Sequence, residues 1–578
     1  MKELWKYIKP YRSDSILAPL FKLLESLMDL LVPLVVASII NKGIGEGDMH
    51  HVIVCFAILL GLAAAGMLFS FTAQYFAARA SVGFAADVRQ SLFDHIMSLS
   101  YSRLDVMGTD TLITRMTSDI NQVQNGLNLG LRLLLRSPFI VFGAMIMAFT
   151  IDVRCALIFA GAIPVLSVLV FGIMLKSIPM FARVQKTLDK LLGMTRENLT
   201  GVRVIRAFCK EQTEIDQFDS VNKDLTEKNE AVGRLSALMN PGTYLLINVA
   251  TILLIHQGAL QVHAGSLLQG DVVALYNYMA QIIVELIKLA SLIITLNKSL
   301  ACGDRIAAVF RVERGMEYPE KEPSPVAYRD EIIFDHVYFS YEGSGEDAVE
   351  DIDFKVRKGT VLGIIGGTGS GKSTVISLIP RFYDATKGKV VIEGHPVQDY
   401  PAGSLNAKIG IVPQKAVLFE GTIRENLLWG NEDATDEELW AAIDTAQARE
   451  VVEGKEGMLD YMIEQSGRNL SGGQKQRLTI ARALVKKPDI LILDDSASAL
   501  DFATDLRLRQ AIHKLGGAMT VIIVSQRTSS VRSADAILVL DDGKKAGFGT
   551  HDQLLRDCRI YQEIYDSQYP GLREGVAA

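Results

Sequence analysis

The stretch G-G-T-G-S-G-K-S-T at 366–374 follows the buried-strand pattern V-L-G-I-I at 361–365, and this pairing decides the fold of the C-terminal half. The spacing G-x-x-x-x-G-K-S is met by Gly366, Gly371, Lys372 and Ser373. Glycines let successive backbone N–H groups curl around phosphate oxygens, and the helix that follows adds its positive N-terminal end. Gly367, Thr368, Gly369, Ser370 and Thr374 complete the loop. In such a loop Lys372 reaches the β- and γ-phosphates of ATP, and the Ser373 hydroxyl ligates Mg²⁺. Further along, I-L-I-L-D-D at 490–495 is a hydrophobic strand ending in acid. A lone acid after such a strand is often only a helix cap. Paired with a phosphate loop in one domain, Asp494 reads as the second Mg²⁺-holding group.

Working outward, I-I-F-D-H-V-Y-F-S-Y at 332–341 alternates like a strand, so the α/β P-loop ATPase cassette is expected to start near residue 330 and to end at 570. Residues 311–329 read as a linker, and 571–578 as a C-terminal tail. Residues 1–310 are of another kind. The chain has 578 residues, a hydrophobic fraction of 49% and 22% charged residues, and the apolar runs concentrate in this first half. The mean hydropathy of +0.22 is high for a soluble protein.

Six stretches are long enough to cross a bilayer, at about 15–42, 51–77, 131–152, 154–177, 242–263 and 272–297. The expected fold is therefore a multi-domain membrane protein. An all-α six-helix transmembrane domain precedes the cassette. Two intervals, 78–130 and 178–241, are too long for turns and carry helical patterns such as A-A-D-V-R-Q-S-L-F-D-H-I at 85–96. They read as long cytoplasmic helical extensions; separate helical inserts are the alternative. An even number of spans returns the chain to its starting side. A cassette that meets cytoplasmic ATP then puts both termini in the cytoplasm and the protein in the cell membrane. The start, M-K-E-L-W-K-Y-I-K-P-Y-R, shows no removable signal peptide and reads as a basic amphipathic segment at the membrane face.

The net charge of −7 argues against a nucleic-acid partner. Five scattered cysteines, Cys55, Cys155, Cys209, Cys302 and Cys558, show neither metal spacing nor a disulfide framework. Glu25, Asp29, Glu285 and Lys288 fall inside proposed spans, where charge is costly and usually faces a cavity or a partner group. Glu285 and Lys288, three apart on one helical face, are placed to neutralise each other. Structural pairing and contact with cargo both stay open for these four.

N-L-S-G-G-Q-K-Q-R at 469–477 lies between the phosphate loop and the acid-ended strand. With it the chain resembles the ATP-binding cassette exporters, as a half-transporter of six spans fused to a cassette, over almost its full length. The resemblance implies that Ser471, Gly472, Gly473 and Gln474 close over the γ-phosphate of ATP held by an opposite cassette. It implies that Tyr341 stacks on adenine, and that Gln414, in I-V-P-Q, touches Mg²⁺ or the attacking water. It also implies that Asp501, in S-A-L-D, communicates across a cassette dimer. Two segments resemble coupling hairpins, 101–119 and 197–208. In the second, Arg203 and Arg206 bind cassette acids or simply solvate the helix.

Two positions depart from the family. Where competent members carry Glu after the acid-ended strand, the chain has Asp495, and where they carry His in the switch loop, V-S-Q-R supplies Gln526. Aspartate is one methylene shorter, and misplacement on the ångström scale costs about 10²-fold in rate. Glutamine carries neither proton nor positive charge near neutral pH. Asp495, Gln526 and Gln414 are the candidate catalytic residues of an impaired site. The segment I-E-Q-S-G-R-N at 463–469 is similar to that of heterodimeric bacterial exporters. The expected partner is a second half-transporter with a catalytic Glu and a switch His, and the expected cargo is an amphipathic small molecule, multidrug or lipid-like. A lipid or peptide exporter, a homodimer with slow ATPase and an ATP-gated channel are the alternatives. No Cys/His peptidase-like extension precedes the first span. Six spans fused to the cassette argue against both an importer and a DNA-associated structural ATPase.

Overall fold

The computed structural model describes residues 2–496, 500–514, 517 and 519–569, so the segment 571–578 read as a tail lies outside the described residues. Two compact units form: Met1–Met97 with Asp110–Val312, and Ser98–Thr109 with Glu313–Ala578.

Among the described residues, the first unit holds six helices long and apolar enough to cross a membrane: Glu3–Ile44, Met49–Met97, Thr109–Ile151, Val153–Thr200, Glu211–His263 and Gln269–Phe310. Met49–Met97 has 49 residues. At 1.5 Å per residue it is about 73 Å long, more than twice the roughly 30 Å of a hydrocarbon core. The second and fourth spans thus run on as helix to Met97 and Thr200, into the intervals that follow them. Phe56, Leu60, Met67 and Phe71 of Met49–Met97 are exposed, as a lipid-facing helix requires. Thr109–Ile151 is not one uniform helix. It passes through a π turn at Arg115–Asp119 and breaks between Leu133 and Arg136.

Helix Arg12–Ser38 contains Pro19 and Pro33. Pro33 has no N–H for the carbonyl of Asp29, one turn earlier. Gln281 Nε2 donates to that carbonyl at 3.4 Å, and Tyr278 Oη donates to the next one, Leu30 O, at 2.7 Å. Helix Gln269–Phe310 therefore supplies a donor where Pro33 leaves the first helix without one.

In the second unit a six-stranded sheet runs in the order Lys544–Gly549, Ala536–Asp541, Val361–Gly366, Thr520–Val524, Ile490–Asp494, Ile409–Val412. All but Lys544–Gly549 are parallel to their neighbours. Parallel strands are covered on both faces, which is why they read as unbroken apolar runs such as I-L-I-L and V-I-I-V. A second, antiparallel sheet is ordered Val349–Arg357, Asp330–Phe339, Lys387–Ile392, His395–Pro396. Within this unit the short helix Tyr101–Met107 packs on the cassette: the Tyr101 ring meets that of Phe382, tilted, with centroids 4.6 Å apart, Tyr383 Oη donates to Asp105 at 2.6 Å, and Arg103 pairs with Glu342 at 2.6 Å.

At the start of Asp330–Phe339, Glu331 is fully buried, and neither carboxylate oxygen has a hydrogen-bond partner among the described residues. Burial pushes its carboxyl up to about 7; Glu393 and Asp489 add to the rise, while Lys358 and Lys408 oppose it. A raised carboxyl favours folding while protonated. That stability is full below the unfolded value, 4.5, and is lost as pH rises through about 7. Glu331→Gln is expected to raise the melting temperature at pH 8 and to flatten its fall between pH 4.5 and 7, read by thermal unfolding of the two proteins across that range.

Candidate functional site

The carboxyl ends of adjacent parallel strands are where open α/β sheets bind ligands. Here Val361–Gly366, Thr520–Val524, Ile490–Asp494 and Ile409–Val412 are neighbours in register. Their following loops carry residues 366–374, 525–527, 494–495 and 413–414. The topology brings the phosphate loop, Gln526, Asp494, Asp495 and Gln414 to one sheet edge.

The loop is shaped by its glycines. Gly371 adopts φ +91°, and a Cβ there would lie 2.8 Å from the Val349 side chain and 3.0 Å from Ala348 O. A Cβ on buried Gly366 would meet Leu540 O and Ser370 Oγ. Gly367, Thr368, Gly369 and Ser373 are exposed. Lys372 Nζ donates to Gly366 O at 3.0 Å, to Gly367 O and to Ser370 Oγ at 3.3 Å. Burial holds its amine below the usual lysine range, against the pull of Asp494 and Asp495. Ser373 Oγ donates to Asp494 Oδ2 at 3.4 Å. Burial raises the Asp494 carboxyl, and the Asp495 charge raises it further; the Ser373 bond and Lys372 lower it. Two hard oxygens beside a lysine and a curled glycine loop fit a magnesium–phosphate group. Tyr341 Oη lies 3.1 Å from Thr374 Oγ1, and its ring meets those of Phe339 and Tyr383 edge-on. It thus stands beside the first turn of the loop helix.

Asp495 has φ +43°, in the left-handed region, where Asp and Asn are the least strained residues after Gly. Its N–H donates to Val524 O at 2.9 Å, which ties this turn to the next strand. Gln526 and Gln414 are exposed.

Ser471–Gln474 form a separate constellation. Ser471 caps helix Gly472–Val485: Gln474 N–H donates to Ser471 Oγ at 3.3 Å, and Ser471 N–H to Gln474 Oε1 at 3.0 Å. This reciprocal box opens the helix with Gly472 and Gly473 at its positive end. Asp501 also acts as a cap here, accepting from Thr504 N–H at 2.9 Å at the start of helix Phe502–Lys514. Arg203 and Arg206 are exposed on the short helix Val202–Ala207.

Two positioning residues have no motif to reveal them. Gln568 Nε2 donates to Gln526 O at 2.7 Å, and its Oε1 accepts from Thr528 N–H and Oγ1, both at 2.8 Å. Gln476, buried on the helix that Ser471 opens, donates to Pro413 O at 3.5 Å beside Gln414. In the first unit, Arg136 is the missed residue. It bonds Glu285 at 2.6 Å and Asp29 at 3.1 Å, while Lys288 also bonds Glu285 at 3.0 Å and Lys22 pairs with Glu25. All four ionisable residues singled out within the spans are therefore in ion pairs.

Residues 15–286 match the family description ABC transporter transmembrane region, and residues 349–498 match ABC transporter. The ABC transporter ATP-binding protein YfiB of Bacillus subtilis (strain 168) is 37% identical over 581 residues, covering 100% of this chain and 99% of YfiB. The probable multidrug resistance ABC transporter ATP-binding/permease protein YheI of the same organism is 35% identical over 485 residues, covering 83% of this chain and 82% of YheI. Among solved structures, that of a bacterial Atm1-family ABC exporter with ATP bound shares the fold. Its TM-score is 0.78 at 23% identity, over 98% of this chain and 99% of that one. The phosphate loop at the sheet edge, the six apolar helices and these full-length likenesses agree: the chain is a multi-pass membrane protein that belongs to the ABC transporters, a half-transporter of exporter fold whose cassette binds ATP and couples its hydrolysis to transport.

Proposed function

We propose that the chain is the degenerate half of a heterodimeric exporter that moves amphipathic small molecules, multidrug or lipid-like, out of the cytoplasm. The observation that carries this is the contrast between two parts of one cassette. Ser471 and Gln474 form an intact cap, with Gly472 exposed at the helix start. The hydrolytic positions hold Asp495 and Gln526 instead. In this reading Tyr341, residues 366–374, Gln414 and Asp494 bind ATP at a site that turns over slowly, while Ser471–Gln474 complete the partner's hydrolytic site. Ser373, Asp494 and Gln414 would hold Mg²⁺, which neutralises charge developing on the transferred phosphoryl group. The shorter Asp495 orients water poorly, and Gln526 offers no cation.

Residues 1–310 form the membrane domain in this reading, 311–329 the linker and 330–570 the cassette, with both termini in the cytoplasm and the protein in the cell membrane. Tyr101–Met107 transmits cassette movement within its own chain. The second tip, around Val202–Ala207, leaves Leu199, Val204 and Phe208 exposed, an apolar face suited to the partner's cassette. The likeness to YheI, a probable multidrug resistance transporter, supports the multidrug class of cargo.

ATPase of the purified chain alone, compared with that of the chain co-purified with a half-transporter bearing Glu and His at the matching positions, tests the proposal. The pair is expected to exceed the single chain by about 10²-fold or more, the cost of a misplaced catalytic group. Equal rates sink the asymmetric reading in favour of a slow homodimer.

A further inference from the structure

A cavity of about 500 Å³ in the first unit is lined by Asp29, Arg136, Gln281, Glu285 and Lys288, with Ile140 and Val284 among its apolar walls. Three of its charges stand at one depth. Asp29, Arg136 and Glu285 are each about 23 Å along their helices from Ile44, Ile151 and Gln269, at 1.5 Å per residue. The break before Arg136 and the missing donor at Pro33 both fall at this level.

The four charges sum to zero, but they are not equally used. Arg136 and Glu285 neutralise each other in the wall, with side chains 12% and 4% exposed, and Ser137 Oγ adds a bond to Glu285 at 2.8 Å. Asp29 and Lys288 each make one ion pair to that inner couple and keep 43% and 45% of their side chains exposed. Gln281, Glu285 and Lys288 recur one turn apart, so Gln281 and Lys288 lie about 10 Å from each other along the helix. The Gln281 end, next to the Asp29 backbone, presents an acceptor, the half-exposed Asp29 carboxylate. Away from it, the half-exposed Lys288 Nζ presents donors. A purely anionic or cationic ligand would satisfy one of these two groups and leave the other unmet.

We propose that this cavity binds the zwitterionic head group of an amphiphile, its ammonium at Asp29 and its phosphate or carboxylate at Lys288, with the tail along Ile140 and Val284. The inference rests on the exporter reading and narrows its cargo.

Native mass spectrometry of the full-length chain in detergent tests it with three probes: lysophosphatidylethanolamine, lysophosphatidylglycerol and dodecylamine. The zwitterion is expected to bind at least about tenfold tighter than either other probe, the worth of one charge-assisted bond. Asp29→Asn and Lys288→Gln should each remove that preference. Glycerophosphoethanolamine, which lacks the tail, separates a free head group from a lipid and should bind at least about tenfold more weakly. Equal binding of the three amphiphiles by the unaltered chain, equal binding of the tailless probe, or a preference kept by both variants overturns the inference. ATP-driven transport by the unaltered pair, measured in parallel, judges the exporter reading separately.

Discussion

Gly472→Asp is expected to lower ATP turnover of the assembled transporter by about 10²-fold or more, while Asp495→Asn changes it by less than about threefold, given that one electrostatic contact to the transferring group is worth about 10²–10³. The size of the first effect follows from where position 472 stands. A side chain there meets nothing of its own chain within 4 Å. It sits in the first turn of Gly472–Val485, where a carboxylate favours the helix. Folding is therefore untouched or improved, and on the proposed arrangement a loss of turnover reports the phosphate in the partner's loop. Ser471→Ala should act in the same direction, with a helix-cap loss of about 1 kcal/mol added. The comparison is made by steady-state ATPase on the co-purified pair. If Asp495→Asn proves the more damaging, this chain's own site is the working one and the division of labour collapses.

Arg136→Ala is expected to destabilise the membrane unit by about 3–5 kcal/mol, the cost of breaking a buried ion pair from one side. Glu285 is 3% exposed and would keep only Ser137 and Lys288. The double change Arg136→Met with Glu285→Met removes both charges and should recover most of the loss, because the uncompensated carboxylate disappears with its partner. Thermal unfolding in detergent reads all three proteins. A single variant as stable as the parent would mean that water, not Arg136, solvates Glu285.

What the residues disclosed depended on how local the signal was. The strand, loop and helix around Lys372 lie within one short stretch, and six apolar runs need only length to be seen, so the fold class was legible. Glu285 and Lys288 were legible as a pair because they share a helical face. Arg136 was not: it lies 149 residues from Glu285, on a helix that no local pattern links to it. Tyr101–Met107 could be placed as a coupling segment by resemblance. Its contact with Phe382, Tyr383 and Glu342 joins positions that no periodicity links. Asp501 was expected across a dimer, and within this chain it also caps a helix. Gln476 and Gln568 carry no motif, since a glutamine that holds a backbone carbonyl looks like any other glutamine.

The grip of Gln568 on Gln526 also sets an order of events during synthesis. The switch loop is made first, and the residue that fastens it emerges 42 positions later. At 5–20 residues per second that is a wait of about 2–8 s. The phosphate loop, the acid-ended strand and the Ser471 cap are all complete before then. A chain that stops short of helix Arg559–Gln568 therefore lacks the bond that fastens its switch loop, and with Tyr561 it also lacks part of the core beside Ile365.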